Sequence, residues 1–424
     1  MSEDSSKSST GLMTKLSVMM FLQFFIWGSW YTSVSLFMSE QGMQDNIYWV
    51  FTAGPLGAII APFFIGLVAD RFFSTEKVLA FCFFVAGISI LALPYIAKSG
   101  DSSLMNTCIF IHMLFYMPTL ALTASLSFAH LTNSEQQFPI VRVFGTIGWI
   151  VAGVAISTLD AEKTTMQFYL AGGASLLLAL FSLSLPKTPP SLKGEKIDLK
   201  ALCFWDAWSL LKKPSFLVFT ISSFLICIPL AAYYAFLQQQ MAAMGIENVA
   251  AVKTLGQGSE IIFMVMMPFF FRKLGVKTMI TIGIAAWVLR YALFALGASE
   301  DIVALLYIGI ILHGICYDFF FVTGQVYVEE STPSNVRNQA QALNVFWTQG
   351  LGLYIGAIVG GYFFRESFGE SSATDPENLS KWASFWWPLC IMAGVVMLVF
   401  VFAFKHKNKD ETIDALEVAG ESSE

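Results

Sequence analysis

Charge is what this chain has least of. Asp, Glu, Lys and Arg make up 13% of its 424 residues, about half of what a soluble domain carries. Histidine is scarcer still, with four residues. The six cysteines (Cys82, Cys108, Cys203, Cys227, Cys316, Cys390) stand singly, without the paired spacing of a disulfide framework or a zinc site. No basic patch accompanies the net charge of −6, so nucleic acid is not expected as a partner. There is no nucleophile–base set and no metal-ligand cluster, which argues against an enzyme, and no cofactor is expected. The first fifteen residues, MSEDSSKSSTGLMTK, are polar and lack the small-residue cleavage site of a secretory signal. The first apolar span is therefore expected to stay in the mature protein.

What the chain has in excess is apolar surface: 56% hydrophobic residues, with 40 Phe and 11 Trp. Apolar windows long enough to cross a bilayer as helix, about 20 residues, fall near 16–38, 47–69, 77–97, 104–131, 139–159 and 165–185. Six more fall near 214–238, 250–271, 276–298, 302–327, 338–364 and 381–404. The expectation is an all-α membrane protein of twelve transmembrane helices in two six-helix bundles, 16–185 and 214–404, in contact with membrane lipid. A polar linker (186–213) joins them, and polar tails (1–15 and 405–424) flank them.

Sidedness follows from Lys and Arg, which accumulate on the cytoplasmic face. With both tails, the linker and the loops after spans 2, 4, 8 and 10 on one side, that side holds 18 of the 24 basic residues. The other side holds five (Lys98, Lys163, Lys253, Arg365, Lys381), and Arg290 lies within span nine. Both termini are expected in the cytoplasm.

The halves echo each other. Pro62-Phe63-Phe64 closes span two as Pro268-Phe269-Phe270 closes span eight, and His112 with Tyr116 in span four matches His313 with Tyr317 in span ten. Such repeats hold solute near the midplane between halves. The run Gly66-Leu67-Val68-Ala69-Asp70-Arg71, followed by Lys77, resembles the loop 2–3 signature of the major facilitator superfamily. That resemblance implies that Asp70 and Arg71 act in gating.

Polar residues inside the spans mark the candidate pathway. Glu260 and Asp318 are carboxylates near the middle of spans eight and ten, where a charge costs about 2.5–3.5 kcal/mol on insertion scales. A carboxyl without a counter-ion in a low-dielectric cavity can load and release protons near neutral pH, so both are candidates for proton coupling. Residues at i, i+4, i+7 share a helix face. One such face carries Arg142, Thr146 and Trp149 in span five, and another carries Gln257 and Glu260 with Lys253 in span eight. Span four offers His112, Tyr116, Thr119 and Thr123, and span one offers Gln23, Trp27 and Tyr31. Lone His and Thr residues in membrane helices commonly make interhelical hydrogen bonds, whereas Trp27 and Trp149 could stack on a planar solute.

Several stretches resemble the nucleoside:proton symporter family. They include FLQFFIWGSW (21–30), FPIVRVFGTIGWI (138–150), QGSEIIFMVMMPFFFRKLGVK (257–277), AWVLRYALFALG (286–297) and YDFFFVTGQVYVEE (317–330). The resemblance implies proton-coupled nucleoside import across the bacterial inner membrane by alternating access; separately, a monomer is expected. It also implies substrate-site roles for Arg142, Thr146, Gln257 and Glu260, and the coupling role for Asp318. There are departures. Span seven of the family's broad-specificity type carries amide side chains, whereas Pro229 to Tyr234 here has none. Tyr233 and Tyr234 stand as replacements, and Trp149, His313, Tyr317 and Phe321 also differ from that type. These changes leave a second reading open, a proton-coupled carrier of a sugar, nucleobase or drug.

Overall fold

The computed structural model describes residues 2–132, 134–190, 200, 203–333 and 336–405. The remainder of the expected linker, and the tail after 405, lie outside the described residues. Among those described there are helices and no strand. The first half contains α1 (Ser2–Tyr31), α2 (Ile47–Ala61), α3 (Thr75–Ala97), α4 (Ser102–His130), α5 (Ser134–Thr158) and α6 (Met166–Ser182). The second begins with α7 (Pro214–Ala243). Next come α8 and α9, joined in one run, Val249–Ser299. Helices α10 (Val303–Ser331), α11 (Gln339–Phe368) and α12 (Lys381–Ala403) follow.

Among the described residues, ten elements are long and apolar enough to cross a membrane. Val249–Ser299 has 51 residues. At 1.5 Å per residue it would reach about 75 Å, over twice the hydrocarbon thickness, so it must be two crossings. Counting it twice, and adding the shorter apolar α6, gives the twelve expected spans. The division falls at Gly275, whose φ of 67° and ψ of 171° only glycine adopts without strain. A single residue therefore reverses the chain where a short loop was expected. At the other end of the chain, α1 runs back through the segment expected as a tail. No proline or turn pair interrupts that stretch, and Lys15 Nζ donates to the Ser184 carbonyl at 2.8 Å.

Close backbone approach sets the helix pairs. A Cβ on Gly148 would fall onto the Phe21 carbonyl, so α5 packs directly on α1. Gly352, Gly356 and Gly360 of α11 face Cys227, Ile228 and Ala232 of α7, the packing role the glycines of span eleven suggest. The internal repeat is visible in side-chain packing too. The His112 and Tyr116 rings lie 5.7 Å apart, as do those of His313 and Tyr317. An aromatic from the first helix of each half lies on each histidine, Trp30 at 5.5 Å and Tyr233 at 5.8 Å.

The halves meet where α5 packs on α8 and α2 packs on α11. Four hydrogen bonds join them at one end. The Ala250 and Ala251 amides, in the first turn of α8, donate to Glu162 Oε1 (2.7 Å) and Ser157 Oγ (2.9 Å) from the other half. The otherwise unsatisfied donors of a helix N-terminus, and its positive dipole end, suit this carboxylate. Gln44 reaches the Ser371 carbonyl at 3.1 Å, and Gln239 reaches Ser39 Oγ at 3.5 Å. This is the end the basic-residue tally places outside.

Candidate functional site

A cavity of about 150 Å³ lies between the halves, lined by α1, α5, α7, α8, α10 and α11. The stripe read on α5 is intact in it: Arg142, Thr146 and Trp149 all face inward. From the opposite half come Gln257 and Glu260 on α8, Tyr317 and His313 on α10, and Tyr234 on α7. Trp27 completes the wall from α1. Ten of the residues named from the sequence thus converge at one place: Trp27, Tyr31, Arg142, Thr146, Trp149, Tyr234, Gln257, Glu260, His313 and Tyr317.

Their chemistry divides into a polar set and an aromatic one. The Arg142 guanidinium lies 4.2 Å over the Phe24 ring, which steadies the cation and leaves its nitrogens available. Arg142 itself is exposed, in the part of α5 away from the Glu162 junction. Glu260 Oε2 sits 3.9 Å from His313 Nε2. Ser259, beside Glu260, donates to the Ile311 carbonyl and accepts from the Gly314 amide (3.1 Å), fixing α8 against α10. Gln257 Oε1 and Trp27 Nε1 are buried with no protein partner. An acceptor and a donor are thus left for a solute to satisfy. The Trp27 ring stands 5.4 Å from Trp149 and 5.5 Å from Tyr31, and Tyr31 stands 6.0 Å from Tyr234. These rings form a continuous aromatic wall across the two halves, suited to a planar group.

Two candidates lie apart from the cavity wall. Asp318 is fully buried, and neither carboxylate oxygen has a protein partner. It opens a π-helical segment, Asp318–Val322, adjacent to the cavity residue Tyr317. Tyr233 points the other way from Tyr234. It is buried and stacks on Phe294 and His313, with the Arg290 guanidinium 3.6 Å over its ring. Arg290 is itself fully buried, and its NH1 meets His313 Nδ1 at 3.1 Å. Tyr234→Ala is therefore expected to raise KM for uptake about tenfold, the loss of one ring packed against the solute, while Tyr234→Phe stays near the parent. Tyr233→Ala should instead lower the amount of folded carrier. Measured KM and membrane abundance separate the two, and an unchanged KM in Tyr234→Ala would remove that residue from the site.

The polar stripe on α4 turns out to be helix-to-helix bonding. Gln23 Nε2 donates to Thr119 Oγ1, Thr123 Oγ1 donates to Gln23 Oε1 (both 2.9 Å), and Tyr116 donates to the Gln23 carbonyl at 2.6 Å. His112 Nδ1 pairs with the Ala86 carbonyl at 2.8 Å. Lys253 is buried with its ammonium 5.6 Å from the Tyr233 ring. Asp70 and Arg71 end the short helix Leu67–Arg71 after π-helical Pro62–Gly66. The Asp70 side chain lies outside the described ones. The cavity also holds Gln349 of α11, which sequence periodicity does not single out.

A two-half helical bundle with a polar and aromatic cavity between its halves defines a multi-pass secondary transporter of the major facilitator fold. The nucleoside H+ symporter family model matches residues 10–409, and the chain belongs to that family. It is 36% identical to YegT of Escherichia coli (strain K12) over 414 residues, covering 95% of this chain and 96% of that one. It is 30% identical to the nucleoside permease NupG of the same organism, covering 94% and 97%. The crystal structure of the nucleoside transporter NupG superposes with a TM-score of 0.83 at 28% identity, over 93% of this chain and all of that one. The protein is thus a transporter and not an enzyme, and the reading as a carrier of a sugar, nucleobase or drug is not favoured.

Proposed function

We propose that the protein imports a nucleoside together with protons across the bacterial inner membrane, with both termini in the cytoplasm. The observation that carries this reading is the cavity, where Arg142, Thr146 and Trp149 from one half face Gln257, Glu260 and Tyr317 from the other. Ribose hydroxyls are met by the polar groups, with Trp149 and Tyr234 packed beside the sugar, and the base plane is met by Trp27 and Tyr31. Asp318 titrates and couples. It is a buried carboxyl without a partner, one residue from a cavity-lining tyrosine, and solute binding at Tyr317 can alter its access to water. Asp70 and Arg71 hold the cytoplasmic gate in the outward-facing state. In this reading the four bonds around Glu162, Ser157, Gln44 and Gln239 close the outer end, as an inward-facing state requires. Rocking of the halves must break them.

The test is uptake into proteoliposomes of labelled uridine, adenosine, a nucleobase and a hexose, with and without an inward proton gradient. Gradient-dependent uptake of nucleosides alone is expected. Transport of the hexose or nucleobase instead, or gradient-independent uptake, would overturn the reading.

A further inference from the structure

Helix α7 carries three consecutive amides, Gln238, Gln239 and Gln240, all buried, and each donates its amide nitrogen within the protein, although Gln238 Oε1 and Gln239 Oε1 have no protein partner. Gln238 Nε2 donates to the Tyr234 carbonyl at 2.9 Å, and Gln239 reaches Ser39. Gln240 joins the Phe294 carbonyl and the Trp386 indole, at 2.8 and 2.7 Å. None lines the cavity. The amides that do are Gln257 and Gln349. Gln349 sits in a π-helical segment of α11, Phe346–Gly352. The extra residue of a π turn rotates the side chains that follow it, and such turns cluster at functional sites. Its neighbours are used for packing: Gly350 against Ile59, Gly352 against Cys227, and Thr348 Oγ1 bonded to the Asn344 carbonyl at 2.8 Å.

Beyond Gln349 lies a second chamber of about 270 Å³, which shares Trp27, Tyr31, Gln349 and Leu353 with the first. Its remaining walls are apolar, with Pro55 and Ala58 of α2, and Met113, Met117 and Ala121 of α4. Either chamber alone is smaller than the roughly 300–1,000 Å³ of ordinary ligand sites, and together they reach that range. The pair matches an amphipathic solute of two parts. Arg142, Thr146, Gln257 and Glu260 suit a hydroxyl-rich sugar, whereas methionines and small residues suit a flat aromatic ring.

We propose that the nucleobase occupies this apolar chamber and that Gln349, at its mouth, reads the polar edge of the base. An amide offers a donor and an acceptor side by side, which is what the edges of pyrimidine and purine bases present. The inference rests on nucleoside transport by the first chamber and assigns the base recognition that α7 does not supply.

The experiment compares inosine with benzimidazole riboside, a flat nucleoside analogue whose six-membered ring has no polar edge. Both are assayed by counterflow in proteoliposomes of the unsubstituted protein and of Gln349→Leu. The unsubstituted protein should prefer inosine. In Gln349→Leu, KM for inosine should rise about tenfold, the effect of losing a hydrogen-bonded contact, while KM for the analogue stays within about twofold. The analogue thereby reports that the variant is folded. Equal losses for both solutes, or no change for either, would overturn the role of Gln349. Ala58→Phe, which fills the apolar chamber, should raise KM for inosine more than for uridine, whose base is smaller. An unchanged KM for both would overturn the placement of the base. If the unsubstituted protein moved neither solute, the transport reading itself would fall and this inference with it. A transporting Gln349→Leu with unaltered selectivity overturns the inference alone.

Discussion

Asp318→Asn is expected to abolish accumulation of nucleoside against its gradient while leaving nucleoside exchange measurable. Asparagine has the shape of aspartate but cannot take up or release a proton in the working range. The carboxyl it replaces is fully buried without a protein partner, so the substitution removes no observed hydrogen bond. A proton gradient of one pH unit supplies about 1.4 kcal/mol per proton, which supports roughly tenfold accumulation of a neutral solute at a one-to-one ratio. The parent protein should reach that level, and Asp318→Asn should stop at equal concentrations inside and out. Counterflow by the variant shows that the carrier is folded and that only the coupling is lost. Full gradient-driven accumulation by the variant would take Asp318 out of the coupling role.

Glu260→Ala is expected to raise the apparent dissociation constant for nucleoside by about ten- to a hundredfold. The reasoning is local. Glu260 lines the cavity, its side chain is 18% exposed, and among the described residues its only ion-pair neighbour is His313 at 3.9 Å, which is beyond hydrogen-bond length. The carboxylate therefore has acceptor capacity to spare for ribose hydroxyls. Hydrogen bonds to a charged group contribute about 1.5–3 kcal/mol, a range that matches the expected loss. Glu260→Gln keeps one acceptor and should fall between the parent and the alanine variant. Equilibrium binding to detergent-solubilised protein measures this without the transport step. An apparent affinity in Glu260→Ala equal to that of the parent would remove Glu260 from the binding surface.

Hydropathy, repeat and charge bias made the span count readable because a bilayer imposes one length on every helix, and apolar runs of that length are hard to disguise. The candidate site was readable for a related reason. Polar groups within a span are costly, so Glu260, Asp318, Arg142 and Gln257 stand out against the apolar background. Sequence periodicity went further for α5, since an unbroken helix keeps Arg142, Thr146 and Trp149 on one face. It did less for α4, whose polar face is as regular as that of α5 yet is consumed by Gln23 and the Ala86 carbonyl. Nothing in a single helix tells whether its polar face meets a cavity or a neighbour.

The chain by itself therefore determined the twelve spans, the two halves and most of the polar groups of the cavity, because these depend on local composition and on spacing along one helix. Which of two adjacent tyrosines faces the cavity was a tertiary matter. Tyr233 is claimed by Arg290 and His313 from α9 and α10, leaving Tyr234 to the cavity. So was the presence of Gln349 there. An α-helical spacing through Gln341, Asn344 and Thr348 leads past it, and the π turn from Phe346 to Gly352 brings it to the wall. Within that turn Gly350 packs on Ile59 of α2 and Gly352 on Cys227 of α7, contacts that a pattern read along one helix does not contain.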